Sequence, residues 1–247
     1  MKRSRPKAQD FRIGWITALP VELAAAQAML DEEYDDGSEI TDYIMGRIEN
    51  HNIVIISLPA GQIGTAAAAT IAAELKFRFP ELRTGLLVGT GGGVPSNEAD
   101  IRLGDVVVSH PHGGFGGVVQ YDFGKTGLGG KSSRTGHLNA PPEALLRAVA
   151  RLRSNMMLQW STIGSSLSRL ACFPIFDKRN AGPDVFQSSY AHVGGSTSHA
   201  RCKEMSIERD LRESGEPVIH YGTIASGNQV IKDGVTRDTS SAGCIML

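Results

Sequence analysis

The chain has 247 residues, 41% of them hydrophobic and 21% charged, with a formal net charge of −1. That length allows one large α/β domain or two small ones around a real core, and the near-neutral charge gives no reason to expect nucleic acid or a strongly charged partner. No run approaches the roughly 20 apolar residues of a membrane span; three scattered cysteines, Cys172, Cys202 and Cys244, make no disulfide framework, so a reducing, cytoplasmic setting is expected.

Residues 1–9 are locally basic (Lys2, Arg3, Arg5, Lys7) and lack a signal-peptide core, which reads as a disordered, solvated tail. Phe11–Thr17 predicts a first strand. Ala18-Leu-Pro-Val-Glu22 starts a helix, with Pro20 suited to its first turn and Leu23, Ala26, Met29 and Leu30 along one face. Asp42–Glu49 and Asn52–Leu58 predict a strand pair turning at Glu49-Asn-His-Asn52. A long helix is expected over Thr65–Phe79, where Ala66 to Ala69, Ala72 and Ala73 permit close contact with a sheet, although alanine is also simply the best helix former. Leu86–Gly89, Asp105–Ser109 and Gly117–Phe123 predict further strands. Pro141–Asn155 predicts an amphipathic helix with Leu145, Leu146, Val149 and Leu152 on one stripe. From 161 to 216 the periodicity fades, which reads as an elaborated loop or insertion; order returns at Pro217–Ala225. Strands alternating with helices call for an α/β fold with a mostly parallel sheet covered on both faces.

Two segments stand out as chemistry. Leu86-Leu-Val-Gly-Thr-Gly-Gly-Gly-Val94 and Tyr221–Gly234 are each a β-prone run that ends in glycine with Thr, Ser or Asn. α/β proteins place their ligand crevice at the carboxyl ends of such strands. Glycine there lets backbone N–H groups approach an anion or a sugar. Two such loops suggest a small-molecule site; a plain turn is the competing reading. Gly89-Thr-Gly-Gly-Gly93 is not a dinucleotide fingerprint, because Val94 takes the place of the third glycine and Pro95 follows instead of a helix.

Glu22 has two readings: complementing the dipole of a first helical turn, or orienting a water or sugar hydroxyl. His192, His199, Cys202 and His220 match no zinc spacing, so no metal and no cofactor is expected. Cys244-Ile-Met-Leu247 fits C-a-a-X, but no polybasic segment precedes it, and membrane anchoring is the minor reading.

Taken together, these residues resemble the nucleoside phosphorylase and nucleosidase superfamily, and in particular the phosphorylase-like domains that fungal proteins carry ahead of NACHT, ankyrin or tetratricopeptide regions. The resemblance runs from about Asp10 to Asp238. It is carried by Ile13–Leu23, Pro59–Thr65, Val88–Val94, Leu103–Ser109, Val118–Gly124 and His220–Gly234, in that order and spacing. It implies one domain over 10–247, a three-layer αβα sandwich with a mixed, mostly parallel sheet, and cleavage of the N-glycosidic bond of a purine nucleoside. By position, Thr90, Gly91 and Gly92 match the loop that contacts phosphate or the water replacing it. Glu22 matches the glutamate that positions the attacking water. Gly227, Asn228, Gln229 and Val230 match the segment that cradles the base, with Val230 where relatives often carry an aromatic ring.

Departures from the family pattern sharpen the expectation. The phosphate-holding arginines of bacterial-type phosphorylases have no counterpart at Val21-Glu-Leu or Leu86-Leu-Val, and Arg83 lies toward the far end of its strand. A dianion without a cationic partner is weakly held, so water is favoured, with phosphate left open as a ligand. The family's Met-Glu motif and later aspartate do not occur before Leu247, which reads as a C-terminal truncation lacking the last strand and helix, and as impaired catalysis. The alternative is a nucleoside-binding or scaffold module derived from a larger sensor-like protein. A homo-oligomer is a further expectation.

Overall fold

The computed structural model describes residues 6–34, 42–96, 99–126, 132–160, 163–176, 207, 209–210, 212, 216–229, 231, 233–240 and 245–246. Their contacts gather into two compact units, Met1–Thr90 with Thr162–Asp177 and Gly91–Ser161 with Lys178–Leu247. No helix among the described residues is long and apolar enough to cross a membrane.

The first unit is built on β1 (Ile13–Thr17), β2 (Glu32–Glu33), β3 (Tyr43–Ile48), β4 (His51–Ser57) and β5 (Thr84–Leu87), in the order β2-β3-β4-β1-β5. β4, β1 and β5 run parallel, whereas β2-β3-β4 is antiparallel. Ile53-Val-Ile-Ile56 explains the central position of β4: all four side chains are buried, the continuous apolar run a strand needs when both faces are covered. Alternation then sorts them. Val54 and Ile56 join Phe11, Ile16, Leu58, Ile71, Leu75 and Phe79 on the face covered by α2 (Thr65–Arg78). Ile53 and Ile55 join Ala26 and Leu30 on the face covered by α1 (Pro20–Ala28). Helix, sheet and helix thus form the three layers, and the fold is α/β with a mixed sheet.

The β3–β4 pair turns where the sequence predicts. Only Glu49 and Asn50 separate the strands, Glu49 takes a positive φ of 50°, and its amide donates to Asp31 Oδ2 at 2.6 Å. Arg169, after the short helix Ile163–Ser168, grips the same corner: its guanidinium reaches Asp31 Oδ1 at 2.8 Å and the Leu30 carbonyl at 2.7 Å. Of the α2 alanines expected against the sheet, Ala67 packs on the core cluster with Ile71 and Leu75, whereas Ala66, Ala69, Ala72 and Ala73 are exposed. Close approach comes from the strand side as well. A Cβ built on Gly14 would lie 2.6 Å from Leu75 Cδ2, so the missing side chain makes room for the helix.

The second unit holds β6 (Val106–Ser109), β7 (Val118–Gln120), β8 (Gly124–Thr126), β9 (Ser132–Arg134), α3 (Glu143–Met157), β10 (Ile219–Gly222), β11 (Ile224–Ser226) and β12 (Ile245–Met246). β10 pairs parallel with β6, and β11 pairs parallel with β7 and β12. Buried Thr223 separates β10 from β11, so one continuous segment changes partner there. The predicted strand at Gly117–Phe123 is shorter, because Tyr121-Asp122 forms a turn before the β8–β9 hairpin. The stripe of α3 is half-buried at Leu145, Leu146 and Val149, with Leu152 exposed.

An ion cluster anchors the start of β6. The Asp105 carboxylate, 2% exposed, accepts from Arg212 at 2.7 Å, from the amides of Arg102 at 2.8 Å and Val218 at 2.9 Å, and lies 3.0 Å from His220 Nε2. Burial pushes this carboxyl's pKa up, but Arg212, the two amides and His220 outweigh that and hold it well below the ordinary carboxylate range.

Two expected outcomes follow for stability. Gly14→Ala drives a methyl group into Leu75, and overpacking of this kind costs about 1–3 kcal/mol; urea unfolding of the variant measures it, and wild-type stability would mean that Leu75 swings aside freely. Asp105→Asn takes the charge from one partner of Arg212 and leaves Asp100 at 3.6 Å as the other, a loss of about 1–3 kcal/mol. Because folding lowers the Asp105 pKa, its stabilisation is complete above the unfolded value of about 3.9 and is lost as pH falls toward the folded value. Wild-type stability therefore declines below about pH 4, and Asp105→Asn flattens that acid limb in unfolding curves taken at successive pH values.

Candidate functional site

Register places the first part of the site. Ile13 to Ile16 pair with Thr84 to Leu87, and the Val88 amide continues the ladder to the Ile16 carbonyl at 3.1 Å. The turn Ala18-Leu19 after β1 and the bend Gly89-Thr90 after β5 therefore lie side by side. Pro20 opens α1 in its first turn, which puts Glu22 at the third helical position. From there its carboxylate reaches back and across. Oε2 accepts from the amides of Ala18 at 2.8 Å and Leu19 at 3.0 Å; Oε1 accepts from the Thr90 amide at 2.7 Å and the Thr90 hydroxyl at 3.0 Å.

Those four bonds match the roughly four lone-pair positions of a carboxylate. Glu22 is only 9% exposed. Burial pushes its pKa up, yet the amides of Thr90, Ala18 and Leu19 and the Thr90 hydroxyl prevail, and the group is held ionised below the usual range. Gly89 permits this arrangement: a Cβ there would lie 2.7 Å from Glu22 Oε1 and 2.9 Å from Cδ. Glu22 and Thr90 were both expected from the sequence, and they are in direct contact. The Leu19 amide is an N-terminal donor of α1, so this contact is the one the helix-turn reading of Glu22 calls for.

Gly91 and Gly92 follow in irregular, exposed backbone, and a Cβ on Gly92 would meet nothing within 4 Å. Packing does not require glycine at 92. Arg83 immediately precedes β5, so the whole strand separates it from the Thr90 bend.

The base-segment residues Gly227, Asn228 and Gln229 lie in the second unit, directly after β11; Val230 lies outside the described residues. β7 and β11 run in register from Val118↔Ile224 to Gln120↔Ser226, so Tyr121-Asp122 meets Gly227-Asn228. The Tyr121 amide donates to the Ser226 carbonyl at 3.0 Å. Asp122 Oδ2 accepts from the Asn228 amide at 2.7 Å and from Asn228 Nδ2 at 3.0 Å, and Gln120 Nε2 donates to Oδ1 at 2.9 Å. The Tyr121 hydroxyl donates to the Gln229 carbonyl, and a Cβ on Gly227 would lie 2.5 Å from the Tyr121 ring. Tyr121 and Asp122 fall inside the expected strand Gly117–Phe123 and were given no role in the sequence reading; the observed strand stops at Gln120, which leaves both in the turn. Of the histidine and cysteine set, His220 is spent on Asp105, whereas His192, His199, Cys202 and also Cys244 lie outside the described residues.

The model of the Phosphorylase superfamily matches residues 12–238. A nucleotide-binding leucine-rich repeat (NLR)-like protein from Hyaloscypha variabilis is 36% identical over 252 residues, which take in 96% of this chain and 24% of that protein. A 5'-methylthioadenosine/S-adenosylhomocysteine nucleosidase from a Marinomonas species is 27% identical over 117 residues, 47% of this chain and 45% of the relative. The chain thus spans under half the length of either. Among solved structures, a putative 5'-methylthioadenosine/S-adenosylhomocysteine nucleosidase from Borrelia burgdorferi, bound to adenine, superimposes with a TM-score of 0.54 at 18% identity, over 94% of this chain and 72% of that one. At that identity the likeness is one of fold, and it agrees with the mixed sheet and its covering helices. With the family match running across most of its length, the chain belongs to the phosphorylase superfamily.

Proposed function

We propose that the chain cleaves the N-glycosidic bond of a purine nucleoside, with water in preference to phosphate as the attacking group. Membership of the superfamily supports the reaction class, and the nucleosidase relative and the adenine-bound structure support the purine. The family match over 12–238 supports reading 10–247 as one phosphorylase-like domain.

The observation that carries the choice of water is the 2.7 Å bond from the Thr90 amide to Glu22. A backbone amide after a parallel strand is a donor that a phosphate loop would present to its anion. Here an ionised carboxylate already holds it. Phosphate at this bend would lose the donor and meet a like charge. Water meets neither obstacle.

In the proposed reaction the C1'–N bond breaks with its electron pair leaving on the base, and the water oxygen bonds to C1'. The lowered pKa makes Glu22 a weak base, so its role is orientation and stabilisation of positive charge on the sugar. It accepts the water's proton only once bonding to C1' has made that water acidic. The departed base, carrying the electron pair of the broken bond, takes up a proton and Glu22 gives one up, so that neutral base and ionised Glu22 result. Gly227-Asn228-Gln229 receives the base.

A second reading, a nucleoside-binding module without turnover, draws on the filled acceptor positions of Glu22 and on the NLR-like relative, of which the chain spans 24%.

Incubation with adenosine, inosine and methylthioadenosine, with and without phosphate, separates these readings by release of free base. The expected result is release that does not depend on phosphate and that falls by about 10²–10⁴-fold in Glu22→Gln. Release that requires phosphate would replace hydrolysis by phosphorolysis. Calorimetric binding without release would favour the binding module, and neither binding nor release would overturn both.

A further inference from the structure

We propose that Asp122 is a positioning residue for the purine, acting through Asn228; the proposal rests on the base-receiving role assigned above to Gly227–Gln229. Parallel pairing of β7 with β11 brings the ends of both strands to one level, but neither strand's ladder continues past Ser226 into the bend. What shapes the bend is its contact with 120–122. Gly227 packs so close to Tyr121 that a Cβ there would lie 2.5 Å from the ring and a side chain would collide. The Gln229 carbonyl takes the Tyr121 hydroxyl. Between them, one oxygen of Asp122 collects both nitrogens of Asn228, backbone at 2.7 Å and side chain at 3.0 Å.

That double contact fixes two things. The backbone amide bond sets the direction of the peptide entering Asn228. The side-chain bond sets which way the carboxamide is turned, because a carboxylate accepts and cannot donate. Gln120 in turn holds the other Asp122 oxygen at 2.9 Å, so the carboxylate is itself oriented. A bend that recognises a flat heterocycle through backbone groups has to offer them at fixed angles. Preset angles lower the ordering cost of binding. Asp122 touches neither ribose nor reacting atoms in this scheme, so it acts on affinity for the base and not on the chemical step.

The test uses the full chain, with adenine as the calorimetric probe and Asp122→Ala as the variant. Expected results are a Kd for adenine about tenfold higher than wild type, and a KM for the nucleoside raised to match with kcat nearly unchanged. Amide exchange at Asn228 is expected to quicken by about tenfold. Asp122→Asn, which retains one acceptor for the Asn228 amide, falls between Ala and wild type. A merely structural role would lower kcat and KM-dependent binding together with the amount of folded protein, and would leave no graded order among the variants. Adenine bound equally well by wild type and Asp122→Ala overturns the positioning role alone. Wild-type chain that neither binds adenine nor releases base from adenosine, inosine or methylthioadenosine overturns it together with the nucleosidase reading. Wild-type chain that releases base without binding adenine overturns the adenine-positioning role alone.

Discussion

β1 and β5 are held in register only as far as the Val88 amide, and beyond that the chain must diverge: one strand enters a helix, the other a run of glycines. The Glu22 carboxylate crosses that divergence. It takes two amides from its own turn and two donors from Thr90, and so fixes the helix start and the glycine bend with one group. Removing a carboxylate from water is expensive unless its lone pairs are met, and here all of them are. Gly89 is the geometric condition, since a single methyl group there would push the carboxylate off its donors. A stretch of sequence that looks like a flexible glycine loop is therefore pinned at its first two residues.

The same bonds constrain the chemistry. A water placed by Glu22 needs an acceptor position, and the three amide donors cannot withdraw without reopening the helix start or the bend. The Thr90 hydroxyl can. It is the one donor of the four that turns about a side-chain bond, and its 3.0 Å contact equals the longest in the set. The water proposed for this site would take its place on Oε1, or bind to it while Glu22 stays ionised. Thr90 thus holds the bend with its backbone and can exchange partners with its side chain.

Much of this was legible in the sequence because the informative residues are those whose chemistry is local. Pro20 with Glu22 marks a first helical turn whatever follows, and the unbroken Ile53–Ile56 run marks a strand covered on both faces. The glycines of the Gly89–Gly92 bend flagged a strand ending in an approachable loop. What sequence could not supply was pairing. Nothing about Asp122 distinguishes it from a solvated turn acid until β7 is known to lie beside β11, 106 positions away along the chain. The alanines of α2 were only partly informative for a related reason: alanine promotes a helix and also permits close packing, and only the fold separates Ala67, packed on the core, from the exposed Ala66, Ala69, Ala72 and Ala73.

Among the described residues, Glu22 at Thr90, Asp105 at Val218 and Asp122 at Asn228 are three carboxylates that each take a backbone amide where regular pairing stops, as Asp31 does at Glu49. They differ in how much water surrounds them. Asp105 is 2% exposed and backed by Arg212, so its attraction is weakly screened and its segment is the firmest of the three. Glu22 is nearly as enclosed but has no cation among these bonds, and its hold depends on four hydrogen-bond donors alone. Asp122 is exposed, and its pKa is lowered chiefly by the Asn228 amide. Salt and solvent weaken a contact of that kind first. The bend proposed to receive the base is thus the most yielding of the three, and the one proposed to hold the water is tied more firmly.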